Sequence, residues 1–235
     1  MDIKGLQDAT LNSLSGKIND YYLAGGTALA RFYFNHRESA DLDFFTQKFS
    51  SFEISKIMEG LATQLNLKIT LAASQNDEKY AKIMVYYANF PEAGKLKIDF
   101  VEDVVKLLKP LNLVNGINIM SIEDIYLRKL YAISGAVQQT DGIGRSFQLG
   151  GRVEAKDFFD VLFLSNTFLP LSDFVQKYGN NIIKEGLIRW FRRYDRMEMK
   201  TGLLEIITKN SIDYQKAEKY FKNEIDKIIE EEIGG

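Results

Sequence analysis

The chain has 235 residues, 46% of them hydrophobic and 26% charged, with no cysteine, one histidine and a formal net charge of −2. That is enough chain for one large domain or two small ones with a real core, in the composition of a soluble globular protein. Without cysteine there is no disulfide, no disulfide-linked partner, no thiolate zinc site and no cysteine nucleophile; the single His36 rules out a multi-histidine metal site and argues against a serine–histidine triad; the near-neutral charge supplies no global basic field for nucleic acid.

No apolar run approaches the length of a membrane span, and MDIKGLQDATLNSL lacks the regions of a signal peptide, so a cytoplasmic protein with no membrane partner is expected. The chemistry left open is that of oxygen ligands: carboxylates working with hard cations such as Mg2+.

Residues 3–18 predict a short amphipathic helix. YYLAGG (21–26) reads as a short buried strand stopped by glycine, and Thr27 as the cap of a helix over ALARFYFNH (28–36). ADLDFFTQ (40–47) reads as a strand with Leu42 and Phe44 facing away from Asp41 and Asp43. Residues 51–66 carry Ile54, Ile57, Met58, Leu61 and Leu65 on one helical stripe. Two strands follow, LKITLAAS and YAKIMVYYAN, then a loop at 90–94. KLKIDFVED alternates cleanly, with Leu96, Ile98 and Phe100 on one side and Lys97, Asp99 and Val101 on the other. A mixed sheet covered by helices is the expectation for this half.

The second half changes character near residue 120. SIEDIYLRKLYAIS opens with a capping-box pattern, Ser121 to Asp124. Residues 135–152 are glycine-rich and aperiodic, a loop length that usually carries function, here a candidate flap over an acceptor. Helices are predicted over 153–166, 171–179, 181–199 and from about Tyr214. The expected organisation is an α/β core at 1–120 and a mainly helical part at 121–235.

Alternation puts Asp41 and Asp43 on one face, roughly 6 to 7 Å apart at Cα. Carboxylates that close repel each other unless a cation sits between them. Asp99 lies on another strand with the same pattern. Three acids on adjacent strands suit two-metal chemistry, in which an attacking oxygen is activated and a leaving oxygen stabilised. Acids on a strand face also commonly meet only solvent or a lysine, and Lys97 is available to Asp99. Gly25-Gly26-Thr27 follows a strand and opens a helix, the setting for a phosphate against free backbone N–H groups, with the Thr27 hydroxyl as a further donor. No Walker A lysine follows.

Gly-Gly, a helix of about a dozen residues, then Asp-x-Asp resembles the first motif of the polymerase-β-like nucleotidyltransferases. More narrowly, AGGTALA followed by HRESADLDFF resembles the AbiEii/AbiGii toxin family of nucleotidyltransferases, toxins of abortive-infection and type IV toxin–antitoxin systems. KLKIDF resembles that family's strand with the third acid. SIEDIYLRKLYAI resembles its helix with a required lysine, here Lys129. EAKDFFDVLFL resembles its Lys/Arg-Asp-x-x-Asp-Leu element, placing Lys156, Asp157 and Asp160. The four motifs run in family order over residues 21–164, with a spacer one residue longer than usual, Val161 in place of leucine, and the long 135–152 loop between the last two.

The resemblance implies an α+β fold: a polymerase-β-like core of mixed β-sheet with flanking helices, followed by a helical C-terminal part. It implies Mg2+ (or Mn2+) held by Asp41, Asp43 and Asp99, and an NTP on Gly25, Gly26 and Thr27. Lys129 would neutralise the triphosphate, with Asp160 in the catalytic set and Lys156 on the nucleotide. It also implies an RNA acceptor, particularly a tRNA 3′ end, and a cognate antitoxin. Lys156 and Asp160 alone read equally well as a surface ion pair, and Lys129 as a solvated lysine. His36, Arg37 and Ser39 follow the first helix beside the acids; a cation there suits the helix dipole, and Arg37 and Ser39 are also nucleotide candidates. Residues 184–200 hold six basic and three acidic side chains interleaved with Trp190, Phe191 and Tyr194, a pattern for RNA contact or for an amphipathic helix with those rings in the core. Transfer to a protein or small molecule, or NTP, RNA or partner binding without turnover, remain the alternatives.

Overall fold

Strand alternation in the first half builds a seven-stranded mixed sheet in the computed structural model, which describes residues 2–77, 80–90, 94–135, 138–140, 146–148, 151–208 and 212–234. The strands are β1 (Tyr22–Leu23), β2 (Leu42–Thr46), β3 (Lys68–Gln75), β4 (Ile83–Phe90), β5 (Gly94–Glu102), β6 (Asn112–Val114) and β7 (Ile117–Ile119). Their order is β3-β4-β5-β2-β1-β7-β6, with β2 parallel to β5, β1 parallel to β7 and the remaining neighbours antiparallel. One face is largely apolar. Leu42 and Phe44 of β2 lie beside Ile98 and Phe100 of β5, all four completely buried. Phe100 is the hub, its ring 5.4 Å from Tyr21, 5.5 Å from Phe44 and 6.4 Å from Tyr86.

Helices α1 (Ile3–Leu14) and α3 (Ser51–Leu65) pack on each other, α1 against β5 and α3 against β3. The α3 stripe buries Ile54, Met58 and Leu61, and Ser50 caps it by accepting from the Glu53 amide. The first helix is shorter than the 3–18 expected. The hairpin of β6 and β7 was not anticipated, although Asn115-Gly116 is the turn dipeptide for it. Both residues take positive φ, 50° and 75°, as a two-residue hairpin turn requires. The hairpin is tied to the end of α1 by Ser15 Oγ donating to the Asn115 carbonyl (2.8 Å) and the Gly16 amide donating to that of Gly116 (2.9 Å).

The helix after β1 differs from its prediction. It begins at Gly25, as α2 (Gly25–Ala28), and continues as a π-helical stretch over Leu29–Phe34 that ends at left-handed Asn35. Thr27 is therefore inside the first turn and not its cap; Ala24 holds the cap position with no side-chain bond. Short π segments widen a helix and are common at functional sites.

By its internal contacts the chain falls into two units, Met1–Asp124 and Ile125–Gly235. The division lies within α4 (Ile122–Ser134), where Ser121 Oγ accepts from the Asp124 amide (3.0 Å) and donates to its carboxylate (2.7 Å). That carboxylate does not reach back to the Ser121 amide, as the capping box does. It accepts instead from the amides of Leu108 (2.8 Å) and Lys109 (3.0 Å), fixing the loop before β6.

The second unit holds α5 (Ala155–Thr167), α6 (Leu171–Tyr178), α7 (Asn181–Arg193), α8 (Arg196–Leu204) and α9 (Tyr214–Gly234). Phe158 centres its core, with ring centroids 4.6 Å from Phe221, 5.9 Å from Trp190 and 5.9 Å from Tyr194. Buried Glu224 of α9 fastens α6 by accepting from the Ser172 amide (2.9 Å) and hydroxyl (2.8 Å). The single helix expected over 181–199 is two. It breaks at Tyr194, which turns extended, and Asp195 caps α8 by accepting from the Met197 and Glu198 amides, both at 2.8 Å. Trp190, Phe191 and Tyr194 are buried, so the aromatics of 184–200 belong to the core while its arginines face out with Glu185, Asp195, Glu198 and Lys200.

Within 135–152, read as a loop, β8 (Gln138–Thr140) pairs antiparallel with β9 (Ser146–Gln148); residues 136–137, 141–145 and 149–150 lie outside the described residues, and with them a test of the flap. Among the described residues no single helix is long and apolar enough to cross a membrane.

The two aspartate caps should differ in weight. Asp124→Ala strands two loop amides and the Ser121 hydroxyl and is expected to cost roughly 3 kcal/mol, against about 1 kcal/mol for the exposed cap in Asp195→Ala. Urea midpoints of the two variants check this.

Candidate active site

Pairing of β1 with β2 brings the double glycine to the acids. Tyr22 and Leu23 are register partners of Phe45 and Phe44, and the Ala24 amide donates to the Asp43 carbonyl at 2.9 Å. The chain then turns at Gly25 with φ +67°, a conformation that favours glycine. A Cβ on Gly25 would overlap Asp43 Oδ2, and one on Gly26 would overlap the Arg37 guanidinium and crowd Ser39 Oγ. The opening turn of α2 thus lies directly against the Asp43 carboxylate on one side and the Arg37 cation on the other.

Thr27 is completely buried, and its hydroxyl bonds the Asp41 carbonyl and Ser39 Oγ (2.8 Å). The Thr27 hydroxyl, expected to donate to a phosphate, holds the 39–41 segment in place in this structure. The Ser39 carbonyl accepts from Gln7 Nε2 (2.8 Å), and Gln7 Oε1 accepts from Arg31 Nη1 (2.9 Å), so α1 braces the same segment. Arg37 is buried, with Nη1 donating to the Glu38 carbonyl (2.8 Å), and His36 is buried beside Phe34.

Asp43 and Asp99 are register partners on parallel β2 and β5, so both carboxylates leave the same sheet face. Asp41 sits one residue before β2. Asp99 is buried and accepts from Lys97 Nζ at 2.5 Å; Lys97 is about a third exposed. Burial alone lowers the Lys97 pKa. The hydrogen bond to Asp99 and the fields of Asp99, Asp41 and Asp43 outweigh it and leave the pKa raised. The expected pairing of Asp99 with Lys97 is therefore present, but on a buried acid rather than a surface one.

Among the described residues no three His, Cys, Asp or Glu side chains stand preformed around a metal position. The acids nevertheless fit a cation: three carboxylate fields converge on one ammonium, which stands in for that charge. All-oxygen donors are those Mg2+ prefers.

In the second unit the later motif residues form a separate buried cluster. Lys129 of α4 is buried and its Nζ bridges Asp157 Oδ1 (2.6 Å) and Asp160 Oδ2 (2.8 Å) of α5, both completely buried. Arg152 Nη2 reaches Asp157 Oδ2 at 3.0 Å from the exposed side. Burial pulls the Lys129 pKa down, yet the two aspartates more than offset it, and the pKa is raised. Lys129 is thus neither solvated nor an uncommitted charge. The surface pair of Lys156 with Asp160 is also overturned, because Asp160 turns inward while Lys156 is exposed and pairs with Glu154 (3.1 Å). Lys156 lines a cavity of about 370 Å³ together with Glu154, Glu198 and Glu205, an acidic setting that disfavours phosphate.

Sequence reasoning expected Lys97 beside Asp99 but missed the contact of Arg152 with Asp157. Lys97 was visible in the alternation, two residues from Asp99 on the same face. Arg152 carried no signal.

A family model described as nucleotidyl transferase AbiEii toxin, type IV TA system, matches residues 9–233. Among solved structures the chain is similar to JHP933 from Helicobacter pylori, with TM-score 0.56 and 18% identity over 98% of this chain and 94% of that one. It is also similar to MenT4, a nucleotidyltransferase toxin from Mycobacterium tuberculosis, with TM-score 0.57 and 13% identity over 97% of this chain and 82% of that one. At these identities the likeness is one of fold. No curated protein matches the chain in sequence.

Removing the ammonium from the buried cluster leaves two uncompensated aspartates. Lys129→Met is expected to destabilise the protein by about 3 to 5 kcal/mol, and adding Asp157→Asn and Asp160→Asn should restore part of it. Thermal melts of the single and triple variants measure this.

Proposed function

Because the chain belongs to the AbiEii family of type IV toxin nucleotidyltransferases, we propose that it moves NMP from an NTP to a hydroxyl of RNA, with Mg2+ as cofactor and a cognate antitoxin as protein partner. NTP and RNA meet in the cytoplasm, which is the compartment this reading assigns. The observation that carries the proposal is the adjacency of the Gly25 turn to Asp43, with Asp99 in register on the next strand. An anion-binding helix start and a cation-binding acid set are then side by side, as a nucleotide with its metal needs.

In this reading the acceptor oxygen attacks the α-phosphorus and forms a new P–O bond. The bond from that phosphorus to the bridging oxygen breaks, and pyrophosphate leaves with the electron pair. Asp99, facing both Asp43 and Lys97, takes the proton of the acceptor hydroxyl. The amides opening α2 and the Arg37 guanidinium hold the leaving phosphates, and Ser39 is kept next to them by Thr27. Asp41, Asp43 and Asp99 would hold Mg2+, which supplies Lewis-acid stabilisation of the phosphoryl charge when bound. Lys129 and Asp160 stay in the set that the family motifs name, with any phosphate contact by Lys129 made in competition with its two carboxylates. Lys156 is left out, since its neighbours are acidic.

Incubation with each α-labelled NTP, Mg2+ and total RNA tests this. Label is expected in RNA, lost with chelator, and reduced by about 1,000-fold or more in Asp41→Ala/Asp43→Ala with the fold intact. Label in protein alone would overturn the RNA acceptor, and unchanged transfer by the double variant would overturn the site.

A further inference from the structure

The carboxylate face of the sheet continues past Asp99. Val85 on β4 is the register partner of Asp99, and Tyr87 is that of Lys97. Register partners share a face. The alternate residues Met84, Tyr86 and Ala88 are buried on the opposite side, Tyr86 against Phe100. Val85 and Tyr87 therefore stand on the same surface as the acids, and both are only half-buried. Beyond them, exposed Thr70 of β3 pairs with Tyr87. Among the described residues no other aromatic ring packs on Tyr87.

Phosphoryl transfer places the attacking and leaving oxygens roughly in line, on opposite sides of the phosphorus. The glycine turn follows β1 and touches Asp43 from that side. Strand order then runs from the turn across Asp43 of β2 and Asp99 of β5 to β4 and β3. If the leaving pyrophosphate lies on the turn, the acceptor enters from the β4 side.

Resting on the reading of this site as a nucleotidyltransferase centre, we propose that Tyr87, flanked by Lys97 and Thr70, is the acceptor subsite and takes the single-stranded end of a nucleic acid. A half-exposed ring on an open sheet face stacks a base; the neighbouring ammonium meets its phosphate; the terminal hydroxyl then points back toward Asp99. Sheet-borne aromatics recognise unpaired bases in this way, and stacking tolerates any base.

The test is binding of a fluorescent single-stranded RNA with a free 3′ end, by anisotropy, with a non-hydrolysable NTP and Mg2+ present. Tyr87→Ala is expected to weaken RNA binding roughly 10-fold, with Tyr87→Phe staying close to wild type. Thr70→Glu, an exposed change, should weaken it through charge. Nucleotide affinity, measured separately by calorimetry, should stay within about twofold in all three if the ring serves the acceptor alone. Equal RNA affinity in wild type and Tyr87→Ala, no RNA binding at all, or a loss confined to nucleotide affinity would each overturn the subsite. Intact NTP binding with no RNA binding would point to a protein acceptor and leave the nucleotide site standing, so the two readings fail separately.

Discussion

Asp43 and Asp99 are register partners on adjoining parallel strands, so their Cα atoms are about 5 Å apart, with Asp41 two residues upstream. Like charges at that distance cost energy, and more so where solvent is partly excluded. The local structure answers with positive charge from three directions. The Lys97 ammonium sits on Asp99. The N-terminal end of α2, with its free amides, lies against Asp43. Arg37 is packed against Gly26 on the far side of the same turn. Each device depends on the one before it. The β1–β2 pairing delivers the turn, the positive φ of Gly25 folds it onto Asp43, and the missing side chains leave room for both charges.

The buried cluster of the second unit solves the same problem in the opposite way. Asp157 and Asp160 are completely buried and share the buried Lys129 ammonium, with half-exposed Arg152 reaching Asp157 from outside. Exchanging Lys129 or either aspartate alone leaves a buried charge unmatched. In the first unit Lys97, about a third exposed, pairs with Asp99 and feels the fields of Asp41 and Asp43 as well. On the proposed function, a dissociable cation takes over from the partly exposed Lys97 on these acids.

Much of the sheet was legible because its strands are half-buried and alternate. β2 and β5 were readable to within two residues from Leu42, Phe44, Leu96, Ile98 and Phe100, and α3 from its stripe. The misses have separate causes. The β6–β7 hairpin is only three residues a side, too short for periodicity, and its Asn115-Gly116 turn signal was overlooked. The α7–α8 break hides in a continuous amphipathic pattern, because Trp190, Phe191 and Tyr194 stay buried through it; only Asp195 three residues before Glu198 marks it. Thr27 looked like a cap because capping and helix-interior threonines share the same local sequence. The bridge of Lys129 to Asp157 and Asp160 joins residues 28 or more positions apart in sequence, which no helical spacing reveals. Family motifs marked the three residues without saying that they touch.

The basic segment 184–200 and the face around Tyr87 illustrate how exposure decides what a motif can do. In the former, basic residues alternate with aromatics, but Trp190, Phe191 and Tyr194 are committed to the packing of Phe158 and Phe221. What remains outside includes Arg189, Arg192, Arg193, Arg196 and Lys200 beside the acids Glu185, Asp195 and Glu198, and such cations attract any phosphate backbone without reading a base. Around Tyr87 the sequence shows no basic run at all, only strand alternation. Yet the register sets that ring opposite Lys97, two residues along the strand from the position of Asp99. Charge can raise the local concentration of a polyanion, but a hydroxyl must be held within reach of the reacting phosphorus for transfer to occur. The proposed subsite relies on a half-exposed tyrosine in register with the acid strand to meet that second requirement, which the solvated charges of 184–200 do not address.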